Sequence, residues 1–365
     1  MKLLSREQFN TEVLKRDNNE CVICKHKENL AVHHIIDRKC FDNGGYFLNN
    51  GISLCEICHI KAENGNYTCE ELRELAKIKE IILPNSFDPN LEYDKFGNEI
   101  KEKLIKYPRT AHLENSGISK DDTDEVILFK DIFNKFLVIE EKNDGANTGI
   151  SFNKDCELLL QCRGHYLKGR GDWPEFNQFK VWGNTYKDQL FDILTDKYIM
   201  YGEWMGTFHS VFYNKLPHYF MEFDIYDKKN KVFLSTSKRR EILEKSDVKI
   251  NSVRVIKEGI FTNKEDILSC VGVSKFVTEN SPFILENILK DNKMTEDEIN
   301  SLMSLNKDRL MEGLYIKWEE DGIIKGRYKF VRPNFVQAIL SYGKHWRERS
   351  SINNLLENGR GLFDL

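Results

Sequence analysis

No run of the chain approaches the roughly 20 apolar residues that a membrane-spanning helix needs, and residues 1–10 hold no apolar stretch of the kind a secretory signal carries. Both absences argue against a membrane partner and for a cytoplasmic protein. Internal repeats and low-complexity tracts are missing as well, which leaves ordinary globular domains. Charge of one sign does not dominate either: 54 Lys and Arg nearly balance 58 Asp and Glu, for a formal net charge of −4. A nucleic-acid partner would have to be met by local basic patches rather than by a field over the whole surface.

What is present is enough apolar material for at least one full-sized core. The chain has 365 residues, 40% of them hydrophobic, and this length favours two or three domains. Nine cysteines is an odd number, and four of them form two C-x-x-C pairs, Cys21 with Cys24 and Cys55 with Cys58. In a reducing compartment such pairs argue for metal rather than disulfides. Two tight turns of this kind can present four thiolates to one tetrahedral Zn²⁺. The zinc reads as structural, because a domain of about 85 residues is marginal and structural zinc contributes on the order of 10 kcal/mol in small modules. Cys40, Cys69, Cys156, Cys162 and Cys270 read as ordinary thiols.

Residues 1–84 form a first domain whose last helix, 69–83, is expected to stop at Pro84. A turn-rich, then lysine-rich linker covers 85–105, the larger domain covers 106–346, and 347–365 is a tail. In the larger domain, runs rich in β-branched and aromatic residues predict strands over 136–141, 158–162, 198–203, 219–226, 232–235, 313–318 and 323–331. Helical patterns over 236–245 and 295–305 lie between them. The fold class is therefore α+β with antiparallel sheet.

Between the cysteine pairs lies Leu30-Ala31-Val32-His33-His34-Ile35-Ile36; Asn50 stands five residues before Cys55, and His59 directly follows Cys58. Over residues 16–63 this pattern resembles the HNH nuclease family in its zinc-braced form, a small ββα-metal module. The resemblance implies that His34 is the general base and that His33 and His59 hold a divalent ion, Mg²⁺ or Mn²⁺. Asn50, grouped with that metal set, would orient the loop carrying the base. An imidazole of unperturbed pKa near 6.5 can take a proton at neutral pH. One cation can stabilise both the phosphorane and the leaving 3′ oxygen. The competing reading is a zinc ribbon that only clamps nucleic acid.

Further on, Lys142-Asn143-Asp144-Gly145 ends an apolar run. An ordered series follows: Arg163, Glu203 in Tyr-Gly-Glu, Phe223 in Phe-Asp-Ile-Tyr-Asp, Glu312 to Lys317 as EGLYIK, and Lys329 in RYKFVR. With Tyr107-Pro108-Arg109-Thr110 ahead of the lysine, the series resembles covalent nucleotidyltransferases, nearest the RNA ligase branch, over about 106–346. The resemblance implies an ATP-grasp-like core in which Lys142 takes AMP from ATP. Arg163 and Glu203 would hold the ribose, Phe223 would stack on adenine, Glu312 would help to place metal, and Lys317 and Lys329 would neutralise the α-phosphate. Lys142 must then lose a proton normally held to a pKa near 10.4, and moving it to about 7.5 represents roughly 4 kcal/mol. Mg²⁺ and the two other lysines are the expected cause. Asp144 and Gly145 would shape the loop, glycine allowing close approach to the nucleotide.

Asp321-Gly322 invites a two-residue hairpin between the last two strands. In a regular hairpin Lys317 and Lys329 would face opposite ways, so an irregularity is expected near 319–323. Only 36 residues follow Lys329, too few for the C-terminal OB-fold of DNA ligases. Lys344-His345-Trp346-Arg347-Glu348-Arg349 and Lys238-Arg239-Arg240 are candidate contacts to a nucleic-acid backbone. The combined expectation is an endonuclease joined to an ATP-dependent ligase. Its partner would be a nicked or broken duplex, with RNA, DNA and hybrid all open, and oligomeric state is not legible.

Overall fold

The structure, a computed structural model, describes residues 2–63, 67–100, 103–118, 125–167, 174–336 and 352–364. It divides into two units: Met1–Lys106 with Arg163–His165, and Tyr107–Cys162 with Tyr166–Leu365.

In the first unit, helix α1 (Arg6–Arg16) starts at Ser5, whose side chain forms a capping box with Gln8. Phe9 and Val13, four residues apart, are its buried face. Strands β1 (Leu30–His34) and β2 (Gly51–Cys55) pair antiparallel, and helix α2 (Glu56–Glu63) follows β2 directly. The order is therefore strand, strand, helix. Helix α3 (Cys69–Leu75) opens on a Thr68–Glu71 capping box, but it ends eight residues before the expected stop at Leu83. The N–H of Ile78 bonds to Arg73 O and that of Lys77 to Glu74 O, with Lys77 at φ 55°. That is a Schellman cap, which halts the helix well before Pro84. The segment expected as a linker packs on this unit where Phe87 and Tyr93 lie against its core.

The second unit begins with β3 (Ala111–Leu113), β4 (Val126–Ile127), β5 (Phe136–Lys142), β6 (Ala146–Phe152) and β7 (Leu158–Cys162). Helices α4 (Asn177–Thr185) and α5 (Lys187–Leu194), then strands β8 (Tyr198–Trp204), β9 (Phe220–Asp227) and β10 (Val232–Phe233), follow. After α6 (Thr236–Leu243) come β11 (Asn251–Ser252), β12 (Val255–Ile260) and α7 (Lys264–Leu268). Helices α8 (Ser281–Asp291) and α9 (Glu296–Asn306) lead to the hairpin of β13 (Gly313–Glu320) and β14 (Ile323–Val331). One sheet runs β12-β5-β13-β14-β3-β4; the other runs β10-β9-β8-β6-β7, with β11 beside β9. The class is α+β and mainly antiparallel, with parallel pairing where β14 meets β3, β3 meets β4 and β11 meets β9.

Alternation along the strands separates two chemistries in the first sheet. Leu137, Ile139, Leu314 and Ile316 are fully buried and pack with Phe330 in one cluster, roughly 1.5–3 kcal/mol for each such side chain. The intervening positions are Glu140, Lys142, Tyr315, Lys317, Arg327 and Lys329. In the second sheet Ile150, Phe152, Leu160, Met200 and Ile225 pack under Phe179 and Trp182 of α4 and Leu190 and Leu194 of α5.

The last hairpin contains both the tight turn and an irregularity. Glu320 pairs with Ile323, and Asp321 and Gly322 take φ 53° and 75°, as a type I′ turn needs. Trp318 then faces Gly326 while Glu319 faces Ile324, so Lys325 is a bulged extra residue. Beyond it Lys317 lies opposite Arg327 and Tyr315 opposite Lys329. Opposed residues share a face, and so do alternate ones. Lys317 and Lys329 therefore project on the same side.

The stretch expected as a tail is built into this unit where it is described. Ile352 O accepts from Phe208 N at 2.7 Å, Asn353 bridges Thr207, and Asn354 is fully buried. Lys344 to Arg349 fall outside the described residues.

Candidate functional site

The polar face of the first sheet carries the charges that the sequence singled out. Lys142 Nζ, at the end of β5, donates to Glu312 Oε2 at 2.7 Å. Asp144 Oδ2 accepts from the backbone N–H groups of Ser210 and Val211 at 2.7 and 2.8 Å, and Gly145 N donates to Glu203 Oε1 at 3.2 Å. A Cβ on Gly145 would stand 2.6 Å from Trp204 O. Glycine is thus required by the crossing of β8, and not only by a nucleotide as expected.

Carboxylates dominate the electrostatics around this amine. Burial favours the neutral amine of Lys142, but Glu312, Glu203 and Asp144 outweigh it and hold its pKa above the ordinary lysine value. Lys317, on the same face, is paired with other carboxylates. Lys317 is fully buried, 2.7 Å from Glu140 Oε2 and 3.0 Å from Asp224 Oδ1. Burial, with the surrounding carboxylates, raises Glu203 and Glu312 to about 7, against the lowering pull of Lys142. Lys329 is buried on the same face, and its charge also acts on Glu312. Glu203 and Glu312 offer hard oxygens of the kind that Mg²⁺ takes alongside substrate phosphates.

Phe223 is placed by a bulge. Tyr201 faces Asp224 and Gly202 faces Glu222, which leaves Phe223 as the extra residue of β9. Its carbonyl accepts from Lys317 Nζ at 2.5 Å and from Arg239 Nη1. Its half-buried ring lies 5.1 Å from that of Tyr107, whose hydroxyl donates to Asp224 and pairs with Tyr315 Oη at 2.6 Å. Arg239 binds Glu140 Oε1 and Glu222 Oε1, both at 2.8 Å, and is 2% exposed. Lys238-Arg239-Arg240 therefore cannot act as a nucleic-acid patch through its middle residue, which locks the two sheets together instead. Arg163 is exposed just past β7 and falls in the first unit.

In the first unit, ligand atoms of Cys21, Cys24, Cys55 and Cys58 lie within 4.8 Å of one another, as do those of His33, His59 and Glu63. A tetrahedral Zn–S distance of about 2.3 Å puts sulfurs about 3.8 Å apart, and Cys24 Sγ is 3.5 Å from Cys55 Sγ. The four cysteines therefore fit zinc. Adjacent residues of a strand point to opposite faces: His33 meets His59 edge-on at 5.0 Å, while His34 stacks on Phe9 at 4.7 Å. Glu63 Oε1 lies 3.2 Å from His33 Nδ1, 3.4 Å from His59 Nε2 and 2.5 Å from Lys95 Nζ. Neither ring nitrogen of the buried His33 makes a hydrogen bond, nor does His34 Nε2. Burial, then Lys95 and His59, lowers His33 to about 2; burial lowers His34 to about 4. Both imidazoles are neutral at pH 7, the state that binds metal or accepts a proton.

Asn50 is not a metal ligand. Its Oδ1 accepts from Ile36 N at 3.0 Å, and its Nδ2 donates to Ile36 O at 3.0 Å and Gly45 O at 3.1 Å, which ties down the loop after His34 and leaves the amide no free donor. Sequence reasoning missed Glu63, although it stands four residues after His59 on one helix face. It also missed Glu140, two residues before Lys142 on the same strand face. Arg239 gave no signal of its buried role.

The comparisons bear on the second unit. Similar solved structures include Naegleria gruberi RNA ligase with PPi, 15% identical, with 80% of this chain and 73% of that one covered and a TM-score of 0.40. A mutant of that ligase with ATP and Mn is 16% identical, with 79% and 72% covered and a TM-score of 0.39. No curated protein matches the chain. The RNA ligase family model matches residues 135–331, a span that runs from β5 with Lys142 through Glu203, Phe223 and Glu312 to the end of β14. More than half of the sequence lies inside that span, and the chain belongs to the RNA ligase family.

Proposed function

We propose that the second unit seals 5′-phosphate to 3′-hydroxyl nucleic-acid ends with ATP, through AMP bonded to Lys142. The observation that carries this is a lysine at a strand end, paired to Glu312 at 2.7 Å, inside the span matched to the RNA ligase family. In the first step the Nζ–Pα bond forms, the bond from Pα to pyrophosphate breaks, and the amine releases its protons. Glu312, held near neutrality by burial, is in place to accept one. A divalent cation, when bound, would neutralise phosphate charge and compete for these carboxylates. AMP then passes to a 5′-phosphate, and the 3′-hydroxyl displaces it. Glu203 at the loop and Phe223 at its bulge would meet ribose and adenine; Lys317 and Lys329 would face the phosphate.

Labelled ATP is expected to leave label on the wild-type protein and none on Lys142→Ala, with release on adding a nicked RNA or hybrid duplex. Label retained by Lys142→Ala at the wild-type level would remove the assigned nucleophile.

For the first unit we propose a zinc-braced HNH-type nuclease, with His34 as base and a divalent ion held by His33, His59 and Glu63. The ligand atoms of His33, His59 and Glu63 gathered within 4.8 Å of one another, with His34 Nε2 making no hydrogen bond among the described residues, favour it over a clamp that only binds. Wild type is expected to nick duplexes in Mg²⁺ or Mn²⁺, and His34→Ala to lose roughly 10²–10⁴-fold. Wild type that seals but never nicks would make the module a binding clamp.

A further inference from the structure

In the connection from β8 to β9, residues 205–219, the stretch 205–213 is buried except for the half-buried Ser210, although it is neither helix nor strand. Buried irregular backbone needs a partner for each N–H and C=O. Much of that demand is met by one side chain near the end of the chain. Asn354 Oδ1 accepts from Tyr213 N at 3.0 Å, and its Nδ2 donates to Met205 O at 2.8 Å and Thr207 O at 3.3 Å. Its own backbone continues the pattern, Asn354 N donating to Gly206 O at 3.1 Å and Leu355 N to Tyr213 O at 2.9 Å.

The far side of this same connection holds the lysine loop. Tyr213 Oη accepts from Asp144 N at 2.9 Å, while Ser210 N and Val211 N hold Asp144 Oδ2 at 2.7 and 2.8 Å. Asp144 is two residues beyond Lys142. Two consecutive hydrogen bonds, Asn354 to Tyr213 and Tyr213 to Asp144, thus join Asn354 to the loop that follows the amine-bearing residue at the end of β5. Asn306 braces the connection too, through Phe212 N and Ser210 O at 2.8 and 3.0 Å, but its side chain makes no hydrogen bond to Tyr213 among the described residues.

We propose that Asn354 is a positioning residue for Lys142, acting through Tyr213 and Asp144 to fix the direction of the amine toward the α-phosphorus. The inference rests on Lys142 being the nucleophile. A misplacement near 1 Å can cost about 10²-fold in a step that depends on in-line attack. The defect should be confined to that step: a strand already carrying a 5′-adenylyl group needs no attack by Lys142.

The test compares two reactions in the full chain: transfer of label from ATP to protein, and sealing of a pre-adenylylated RNA nick without ATP. Asn354→Ala and Tyr213→Phe, the latter removing only the hydroxyl at the last link, are expected to slow the first roughly 10–100-fold while sealing stays within about twofold. A parallel fall in both reactions would mean that Asn354 merely stabilises the fold; wild-type label transfer in Tyr213→Phe would break the relay. Either result overturns the proposal. Lys142→Ala runs alongside. If it retains label, the nucleophile itself is wrong, whereas a null there with unchanged Asn354→Ala and Tyr213→Phe rejects only the positioning role.

Discussion

Lys317→Met is expected to lower stability by about 3–5 kcal/mol and sealing by about 10²–10³-fold. Lys317 is fully buried between Glu140 and Asp224 and also donates to Phe223 O. Methionine would fill much of the same space, so packing is not the main loss. For compensation the two carboxylates would keep Arg239 on Glu140 at 2.8 Å, and on Asp224 the Tyr107 hydroxyl and Arg327 at 4.0 Å. A buried charge that loses its partner costs far more than the net worth of the pair. For a unit of this size each kcal/mol moves the melting temperature by about 2–4 °C, so a fall on the order of 10 °C is expected.

The sign of the pH dependence follows from Glu140. Burial raises its pKa, and Lys317 pulls it back down. Without Lys317 the folded value rises further above the unfolded one, so the extra destabilisation grows as pH rises between the two and shrinks in acid, where Glu140 takes up a proton. Adding Glu140→Gln to Lys317→Met should therefore recover part of the melting temperature at neutral pH, but none of the sealing, which needs the cation. If Lys317→Met alone melted within about 1 °C of wild type, the buried network would not bear on the stability of the unit.

Much of the second unit was legible because its strands announce themselves. β5, β7, β8, β9, β13 and β14 are rich in β-branched and aromatic residues, and the structure places all of them within two residues of expectation. β6 was passed over because Ala146-Asn147-Thr148-Gly149 is small and polar, yet Thr148 and Gly149 are buried there. Alternation plus the need for two lysines on one face was enough to expect an irregularity in the last hairpin, and the bulge at Lys325 supplies it. Long-range polar links were not legible. Nothing local in Lys238-Arg239-Arg240 says that its middle residue reaches Glu140, and nothing near Asn354 says that it serves a connection some 140 residues earlier. The helix expected over 69–83 failed for the opposite reason: the apolar periodicity runs on, but the Schellman cap at Lys77 turns the chain so that those residues cover the module's core.

Removing metal from the cysteine cluster is expected to unfold the first unit and spare the second. Cys21, Cys55 and Cys58 belong to the same core cluster as Ile35, Ile36, Ile52 and Leu54, so three of the four candidate ligands are also packing. With zinc bound, the thiolates are compensated and the module gains on the order of 10 kcal/mol, comparable to the whole stability of a small domain. Without it, burial pushes the thiol of Cys58 far above its ordinary pKa, and the nearby Cys21 adds to the effect. What remains at Cys58 is a thiol that contributes only as a small apolar group. One equivalent of zinc per chain, its release by a strong chelator, and a matching loss of hydrogen-exchange protection confined to residues within Met1–Lys106 are the expected results. Label transfer from ATP to Lys142 should survive the same treatment, because the second unit has its own core. Cys58→Ser should reproduce the chelator. Four freely titrating thiols in native protein whose first unit is as protected as ever would mean that the cluster packs without a metal, and the ββα module would then owe its order to Ile52, Leu54 and their neighbours alone.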